Sequence, residues 1–562
     1  MSITNQLKTI IIELLTELGI ENPSVSFEHP TELVHGDYST NVAMVYAKEL
    51  KKNPRVLAEE VKKYIQNQKP DTIENIEIAG PGFINFFLSK QFFVDSLKHI
   101  IREGDQFGSN QDGAGKKVLV EYSSPNIAKP FTVGHLRSTI IGDAVANLLA
   151  FSGYTVIRDN HLGDWGTQFG KLIVAIKKWG DFEAIKKSQT PIKELVDLYV
   201  KFHDEAEKDA SLEDEGRAWF TKLEQGDSDA RALWQMCVAL SMQEFDRIYA
   251  RLRVSAFDTA LGESFFEDKM AAVLVDVKAT NIAKESEGAY LIFFDEEKTK
   301  LPPLMLTKKD GSSLYALRDL AADRYRRETY GTDITIINEV GAEQSQYFRQ
   351  IFEAEELLGY FPKSQRVHIG HGLYRFAEGK MSTRKGNVIW LDDILNEAEK
   401  RAGELNEATK TDVALAAIKF NDLKREAIKD IVFDWDEILN LHGDTGPYLQ
   451  YAHARCVSVL EKARESLIEP VATDTLQQAG SVEKLVYRFP EIVSRATSEY
   501  APHYIATYLI ELAHAFSTYY AETKIVDPED HLSPYKVGLT KAVKIVLKNG
   551  LSLLGIPTPE KM

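Results

Sequence analysis

The pattern of hydrophobic and polar positions changes several times along the chain, and each change suggests a separate domain. In residues 1–105, apolar residues at helical spacing open the chain and stop at Gly19. An apolar–polar alternation over residues 73–88, broken by a Gly-Pro-Gly sequence, predicts two strands joined by a tight turn. This first region is therefore predicted to be an α+β domain, and the glycine-rich residues 106–116 are predicted to be a linker.

A second region, residues 117–375, alternates short strands with helices. The β-branched run KVLVEYSS is typical of a buried strand, and a loop, a long helix and a second strand, YTVIRDN, follow it. This order is that of a mononucleotide-binding unit, whose ligands bind at the carboxyl ends of the strands. Residues from about 171 to 300 are mostly helical in pattern, and two further strands come after them. We predict a Rossmann-type domain with a largely helical insertion.

The last two regions lose the strand pattern. Residues 376–440 contain a basic loop and are predicted to connect the sheet to the end of the chain. Residues 441–562 carry long helical periodicity, which predicts an α-helical bundle. The whole chain is thus predicted to be an α/β multidomain protein, and 562 residues suffice for several hydrophobic cores.

Composition limits the location of the protein. The two cysteines, Cys237 and Cys456, are far apart and support neither a disulfide framework nor a zinc cluster, which favours a reducing cytoplasm. The N-terminal apolar run has the pattern of an amphipathic helix rather than a signal peptide. The sequence contains no apolar run of the length that crosses a bilayer, so we expect no membrane partner.

The formal net charge of −17 leans against a nucleic-acid partner, because phosphate binding needs local positive potential. The charge is unevenly distributed, however. Residues 441–562 carry 12 Lys and Arg against 14 Asp and Glu, so that region has a net charge of −2 and the rest of the chain −15. Only specific motifs can therefore argue for RNA.

The first such motif is the loop between the first strand of the second region and its helix. It reads SSPNIAKPFTVGH and ends at His135. A helix N-terminus presents free N–H groups to phosphate, and Gly134 lets a nucleotide approach the backbone. His135 can donate a hydrogen bond to a phosphate oxygen that gains charge. Taken alone, these would be ordinary loop and capping residues.

The second motif, KMSTRKGN, begins at Lys380. Three basic residues and two hydroxyl groups on a glycine-containing loop can close on a pyrophosphate leaving group. A basic cluster alone is usually a solvated surface loop. The two motifs in this order, across a nucleotide-binding unit, indicate a shared phosphate chemistry.

The pair resembles the HIGH and KMSKS signatures of the class I aminoacyl-tRNA synthetases. EYSSPNIAKPFTVGHLRSTIIGD, NHLGDWGTQFG, YALRDLAA and the N-terminal GDYSTNVAM resemble the arginyl-tRNA synthetases in particular, and these matches extend over nearly the whole chain. The resemblance implies a ligase that adenylates arginine with ATP and Mg²⁺ and then esterifies tRNA. It also implies that tRNA is required for the first step.

The resemblance implies catalytic roles for Thr132, Gly134, His135 and Lys380. Thr132 replaces the first histidine of the family motif, and Thr383 replaces the second lysine of the other motif; Arg384 and Lys385 lie beside it. The ATP site implied by the resemblance consists of Ser123, Pro125, Gly134, His135, Lys380, Met381, Ser382 and Arg384. His371, at a strand end before the basic loop, is a further candidate for contact with ATP, and the alternative is a structural role.

Arginine carries five N–H donors in a rigid fork, which carboxylates and amide or hydroxyl oxygens satisfy best. The resemblance implies an arginine site made of Glu121, Asn126, Tyr315, Asp319 and Gln344. His161, in the loop after the second strand, is predicted to form part of the wall of this site, and the alternative is a structural role for that loop. Tyr315 and Asp319 are four residues apart and share one helical face. The alternative for Asp319 is a surface ion pair with Arg318 or Arg324.

For the RNA, the resemblance implies that residues 1–105 are an additional tRNA-binding domain and that 376–440 hold the KMSKS-type loop and contact the stem. Residues 441–562 would bind the anticodon. Tyr448, Tyr451 and Arg455 offer rings and a cation that stack on unpaired bases. The alternative is that these rings lie in a helical core. We expect a monomer.

Three other functions fit part of the sequence. A class I synthetase for cysteine would need zinc-ligand cysteines, and one for lysine would lack the N-terminal GDYSTNVAM module. A small nucleotidylyltransferase would not explain the helical C-terminal region. A non-catalytic paralogue would fit the two motif replacements, but Gly134, His135 and Lys380 argue against it.

Overall fold

The computed structural model describes residues 3–68, 70–309, 313–375, 389–432, 434–438, 443–471 and 478–562. These residues form an N-terminal α+β domain, a parallel-sheet domain and a group of C-terminal helices. Within these ranges, every helix is too short or too polar to span a membrane.

The N-terminal domain packs helices on a three-stranded antiparallel sheet with the order β1-β3-β2. Its elements are α1 (Ile3–Glu17), β1 (Tyr38–Thr40), α2 (Val42–Tyr46), α3 (Pro54–Gln68), β2 (Ile73–Ala79), β3 (Phe83–Leu88) and α4 (Lys90–Glu103). The two strands and tight turn predicted from the alternation are confirmed. Leu7 and Ile11 of α1 and Val61 and Ile65 of α3 are buried at helical spacing, so each helix turns one apolar face into the core of this domain.

The second domain contains a parallel sheet of five strands. Its elements in chain order are β4 (Lys117–Glu121), α5 (Val133–Phe151), β5 (Thr155–Leu162), α6 (Thr167–Trp179), α7 (Phe182–Lys187), α8 (Pro191–Ala206), α9 (Ser211–Glu224), α10 (Ser228–Leu252), β6 (Thr259–Gly262), α11 (Met270–Thr280), β7 (Ala283–Ser286), β8 (Ala289–Ile292), α12 (Glu296–Thr299), β9 (Leu304–Thr307), α13 (Tyr315–Tyr330), β10 (Ile334–Gly341), α14 (Ser345–Leu358), β11 (Arg366–His371) and β12 (Tyr374–Arg375).

The strand order β11-β10-β4-β5-β6 indicates where in the sheet a ligand site is expected. The chain runs outward from β4 to β5 and β6 and later returns to the other side of β4 with β10 and β11. Val118, Leu119 and Val120 of β4 are all buried because helices cover both faces of the sheet. The direction of strand addition reverses between β4 and β10, and ligands of such sheets bind outside the carboxyl ends of strands at this reversal.

The segment from about 171 to 300 differs from the predicted helical insertion in two ways. β6 belongs to the central sheet, and β7, β8 and β9 form a separate antiparallel sheet, of which β7 and β8 lie within the predicted insertion. β6 is short and only half-buried, so it has no apolar run to mark it in the sequence. The helical prediction holds for α6 to α10.

The C-terminal helices continue the core of the sheet domain. The remaining elements are α15 (Leu391–Gly403), α16 (Lys410–Leu423), β13 (Ile431–Val432), α17 (Trp435–Ile438), α18 (Gly446–Glu465), α19 (Ser481–Val486), α20 (Phe489–Ser498), α21 (His503–Glu522) and α22 (Ser533–Leu553). A single cluster of buried apolar side chains runs from α5 through α16 to α22. The N-terminal domain has its own core, and Tyr487 of the C-terminal region packs against it.

Candidate active site

A cavity of about 510 Å³ opens at the carboxyl ends of β4, β5 and β10, next to the start of α5. All six side chains predicted for arginine line it, together with four predicted for ATP. They are Glu121, Asn126, His161, Tyr315, Asp319 and Gln344, and Ser123, Gly134, His135 and His371. The fold thus gathers residues spread over 250 positions of the chain, as expected for a ligand site at the reversal of strand order.

The other predicted site residues fall into two groups. Thr132 and Pro125 belong to the same loop but do not line the cavity. Lys380, Met381, Ser382 and Arg384 lie outside the described residues, so the contribution of the second motif remains a prediction.

The loop after β4 has an unusual backbone. Ser123, Ser124 and Ala128 adopt positive φ angles of 71°, 43° and 55°, a region that residues other than glycine rarely occupy. The Ser123 hydroxyl lies 2.8 Å from both Thr139 Oγ1 and Tyr249 Oη. These internal hydrogen bonds hold the strained loop in place, so the Ser123 hydroxyl supports the wall of the cavity.

Asn126 is fixed by the loop that follows β5. The Gly163 N–H donates to Pro125 O, and the Ile127 N–H donates to Gly163 O, both at 3.1 Å. A Cβ atom at Gly163 would lie 2.5 Å from Asn126 Oδ1, which no side chain tolerates. Gly163 is therefore required for the position of the Asn126 side chain, and Pro125 contributes through its carbonyl group.

The start of α5 positions His135. Thr132 precedes the helix, and its N–H donates to His135 Nδ1 at 3.1 Å, while the His135 N–H donates to Thr132 O at 3.0 Å. Thr132 is buried, so it acts here as a helix cap that orients the histidine. A Cβ atom at Gly134 would meet only Thr132 Oγ1, at 3.5 Å, and would otherwise project into open space.

The environment of His135 determines its protonation. Burial, assisted by Lys129 and His371, lowers the pKa of His135 to about 4. Its ring is therefore neutral near pH 7, and because Nδ1 accepts the Thr132 N–H, the proton resides on Nε2. The cavity wall thus includes a neutral N–H donor at the helix N-terminus.

His371, at the end of β11, has the opposite character. Its Nδ1 lies 2.8 Å from Glu339 Oε1, and Glu339 is completely buried. Burial lowers the pKa of His371, but the Glu339 carboxylate outweighs burial and raises the pKa above its ordinary value. His371 thus lines the cavity with a ring whose protonation a buried carboxylate favours.

Glu121 is engaged by a buried arginine that sequence reasoning missed. Arg326 of α13 forms ion pairs with Glu121, Asp159 and Asp323. Burial opposes ionisation of Glu121, but Arg326 outweighs burial, so the pKa of Glu121 is lowered. Glu121 is therefore ionised while it faces the cavity.

The ion pairs continue behind Glu121 to a second arginine. Arg366 lies 3.1 Å from both Asp323 and Glu355. Burial raises the pKa of Glu355 well above its ordinary value, although the Arg366 guanidinium group opposes this shift. Four carboxyl groups, those of Glu121, Asp159, Asp323 and Glu355, thus face two guanidinium groups, and this excess of acidic over basic groups suits the α-ammonium group of an amino acid.

Asp319 has no basic partner among the described residues. Arg318 pairs with Glu263 and Glu267, and Arg324 pairs with Asp276 and Glu328, so the alternative of a surface ion pair is wrong. Its hydrogen-bond donor is the Tyr347 hydroxyl. Burial raises the pKa of Asp319, and His161 and Tyr347 lower it in part. An external cation would satisfy this carboxylate.

Aromatic rings complete this side of the cavity. The Tyr315 ring lies 4.8 Å from the Tyr347 ring and is 58% exposed. His161 stacks on Phe266 at 5.6 Å, and His161 Nε2 has no hydrogen-bond partner in the described part of the chain. Sequence reasoning missed Tyr347; its only signal was its place three residues after Gln344 in QSQYF.

The residues predicted for RNA divide into exposed and packed groups. The Arg455 guanidinium lies 4.6 Å from the Tyr451 ring and 4.7 Å from the Tyr520 ring, and both rings are more than 40% exposed. Tyr448 instead packs at an edge against His514, with its hydroxyl 3.0 Å from Ser517 Oγ. Tyr451, Arg455 and Tyr520 thus form an exposed cluster of two rings and a guanidinium group.

Comparison with known proteins accounts for the whole chain. Residues 96–435 match the family described as "tRNA synthetases class I (R), catalytic domain", residues 2–88 match "Arginyl tRNA synthetase N terminal domain", and residues 449–562 match "DALR anticodon binding domain". The chain is 43% identical to the arginine–tRNA ligase of Clostridium perfringens, over 99% of this chain and 100% of the relative. It is 40% identical to that of Halothermothrix orenii, over 99% of each.

Solved structures agree. The fold superposes on Plasmodium falciparum arginyl-tRNA synthetase with a TM-score of 0.83 and 26% identity, over 100% of this chain and 99% of the other. For the Thermus thermophilus arginyl-tRNA synthetase the TM-score is 0.82 and the identity 26%, over 100% of both chains. With the three domains, the reversal-point cavity and the uncompensated carboxylate in place, this chain belongs to the arginyl-tRNA synthetases of class I.

Proposed function

We propose that this chain adenylates L-arginine with ATP and transfers the arginyl group to the 3′ end of an arginine-accepting tRNA. The observation that supports the proposal is the environment of Asp319. Its carboxylate lines the cavity and accepts a hydrogen bond from a tyrosine, but it forms no ion pair with a basic side chain among the described residues. A guanidinium group would supply the missing charge and several donors at once.

Arginine would lie across the cavity between two carboxylates. Its guanidinium group would meet Asp319, with Tyr315, Gln344 and His161 around it, and its α-ammonium group would meet Glu121 and Asn126. The excess of acidic over basic groups in the Arg326 network supports the second contact, because Glu121 is a member of that network and lines the cavity.

ATP would occupy the region next to the start of α5. The open space above Gly134 would admit the nucleotide, and His135 Nε2–H would donate to an α-phosphate oxygen. His371 would add positive charge on the same side. Lys380, Met381, Ser382 and Arg384 are proposed to bind the pyrophosphate group, on the strength of the sequence resemblance alone.

The reaction needs positioning and charge stabilisation rather than a protein nucleophile. A carboxylate oxygen of arginine attacks the α-phosphorus, the bond to the β-phosphate oxygen breaks, and pyrophosphate leaves. A terminal ribose hydroxyl of the tRNA then attacks the arginyl carbonyl carbon, loses its proton, and AMP leaves. Mg²⁺ would arrive with ATP, bound by its phosphate oxygens.

The other regions would hold the tRNA. We propose that residues 441–562 bind the anticodon, with Tyr451 and Arg455 as the stacking surface and Tyr448 as a packed support. Residues 1–105 would contact another part of the tRNA, and 376–440 its stem. We further propose that the protein acts as a monomer in the cytoplasm.

Arginine-dependent ATP–pyrophosphate exchange, with and without tRNA, tests the proposal. Exchange should occur only with arginine and arginine-accepting tRNA, and it should collapse in Lys380→Ala. Lys309→Ala removes an exposed lysine that pairs with Glu287 outside the cavity, so it should leave exchange unchanged. If arginine supports no exchange with any tRNA, the proposal is wrong.

A further inference from the structure

The side chain that holds Asp319 comes from a different element from Asp319 itself. Asp319 lies on α13, whereas Tyr347 lies in the first turn of α14, and β10 separates these two helices in the sequence. The Tyr347 hydroxyl donates to Asp319 Oδ2, and the Tyr347 ring packs against Tyr315. One tyrosine therefore contacts two of the residues proposed to bind the guanidinium group, and it also lines the cavity.

The chemistry of this contact favours the ionised form of Asp319. A phenol O–H donates strongly to a carboxylate, and it occupies one lone pair of Oδ2 while leaving Oδ1 for a ligand. Tyr347 cannot compete as an anion, since burial and Asp319 raise its pKa well above the ordinary value. The Tyr347 hydroxyl therefore remains a hydrogen-bond donor over the pH range in which the Asp319 carboxyl group ionises.

We propose that Tyr347 is a positioning residue for the amino acid: its hydroxyl fixes the Asp319 carboxylate for a guanidinium group and thereby selects arginine over a neutral urea of the same shape. This inference rests on the proposed function, in which Asp319 receives the guanidinium group. It adds a residue to the site and a chemical basis for its selectivity.

The test is Tyr347→Phe, which removes one oxygen and keeps the ring against Tyr315. In aminoacylation, KM for arginine should rise about tenfold while kcat changes about twofold or less, because a hydrogen bond to a charged group is lost. Binding of citrulline, the neutral urea, should change much less. The ratio of arginine affinity to citrulline affinity should therefore fall by about the same factor of ten.

The pH profile gives a second readout that a purely structural role would not move. Without the phenol donor the pKa of Asp319 should rise further, so the acidic limb of kcat/KM for arginine should shift upward by roughly one pH unit. The titratable groups around Asp319 are Glu121, His161, Glu263, Tyr315, Asp323 and Tyr347. All but Tyr347 are present in both proteins, so the difference between the two profiles reports the lost hydroxyl.

A matched control is Tyr360→Phe. The Tyr360 hydroxyl donates to Asp276 at 2.7 Å, in the same domain but outside the cavity, so this variant should keep the KM, the citrulline ratio and the pH profile of the native chain. Tyr347→His keeps an aromatic ring with an N–H donor and should recover part of the arginine affinity. If Tyr347→Phe does not fold, the arginine affinities of Tyr347→His and Asp319→Asn still test whether a donor at position 347 supports Asp319.

The outcomes distinguish an error in the proposed arginine site from an error in the proposed role of Tyr347. If Asp319→Asn leaves arginine binding intact, the proposed arginine site itself is wrong. If Asp319→Asn abolishes arginine binding but Tyr347→Phe leaves the KM and the pH limb unmoved, only the role of Tyr347 is wrong. An equal loss for arginine and citrulline would also overturn it, since that result indicates packing alone.

Discussion

Glu121 and Asp319 are two of the acidic residues that line the cavity, and their surroundings differ. Glu121 is paired with Arg326, which also binds Asp159 and Asp323. Asp319 has only the Tyr347 hydroxyl and no basic partner in the described residues. The first carboxylate is stabilised by the folded chain, whereas the second is left with a charge that burial disfavours.

Within one site, this difference distinguishes a carboxylate that stabilises the fold from a carboxylate that is left for a ligand. A charge that is neutralised internally contributes to folding, and its loss leaves other charges unpaired. A charge that is not neutralised costs stability in the free protein and gains its partner when the ligand binds. We therefore expect changes on the Glu121 side to appear first in stability and changes at Asp319 to appear first in arginine binding.

The largest expected effect is on stability, from Arg326→Gln. This change leaves three carboxylates without their shared guanidinium group, so the free energy of unfolding should fall by about 3–5 kcal/mol. Urea unfolding measures it. Glu355→Gln, in the same network, should lower stability less, because burial raises the pKa of Glu355 and already disfavours its charged form. Equal losses for the two variants would contradict the assignment of charges.

The next effect is on activity, from Asp319→Asn. The kcat/KM for arginine should fall at least about 100-fold, because the guanidinium group loses its counter-charge. The melting temperature should stay the same or rise, since an uncompensated buried charge has been removed. Loss of activity together with a large loss of stability would place Asp319 with Glu121 as a structural carboxylate.

The smallest effect is a contrast in pH dependence. The pKa of Asp319 is raised, so the native state binds this proton more tightly than the unfolded state does. The stability advantage of Asp319→Asn over the native chain should therefore be absent below about pH 3.9 and grow as pH rises through the raised pKa. The pKa of Glu121 is lowered, so the advantage of the native chain over Glu121→Gln should be full above about pH 4.3 and shrink as pH falls through the lowered pKa. Unfolding curves across this range measure the native-minus-variant free energy of unfolding, which should fall with rising pH for Asp319→Asn and rise for Glu121→Gln. Changes of the same sign would overturn the comparison.

Much of the fold followed from local pattern. The apolar run of β4, the loop before α5 and the alternation of β2 and β3 each carry their own signal, and the structure has these elements where they were predicted. β6 carried none, because a short, half-buried strand gains its stability from pairing with β5 rather than from its own side chains.

The candidate site divides in the same way. Sequence analysis identified the residue types that suit arginine and ATP, and it named ten residues that the fold brings to one cavity. It could not tell which of those charges already had partners. Arg326 reaches Glu121 across 205 positions of the chain, and Tyr347 reaches Asp319 from another helix, so both pairings depend on the order of strands in the sheet. Local sequence determines which elements form and which chemistry they carry, but the partner of a buried charge is decided only when distant elements pack together, because ion pairs and hydrogen bonds act over a few ångströms.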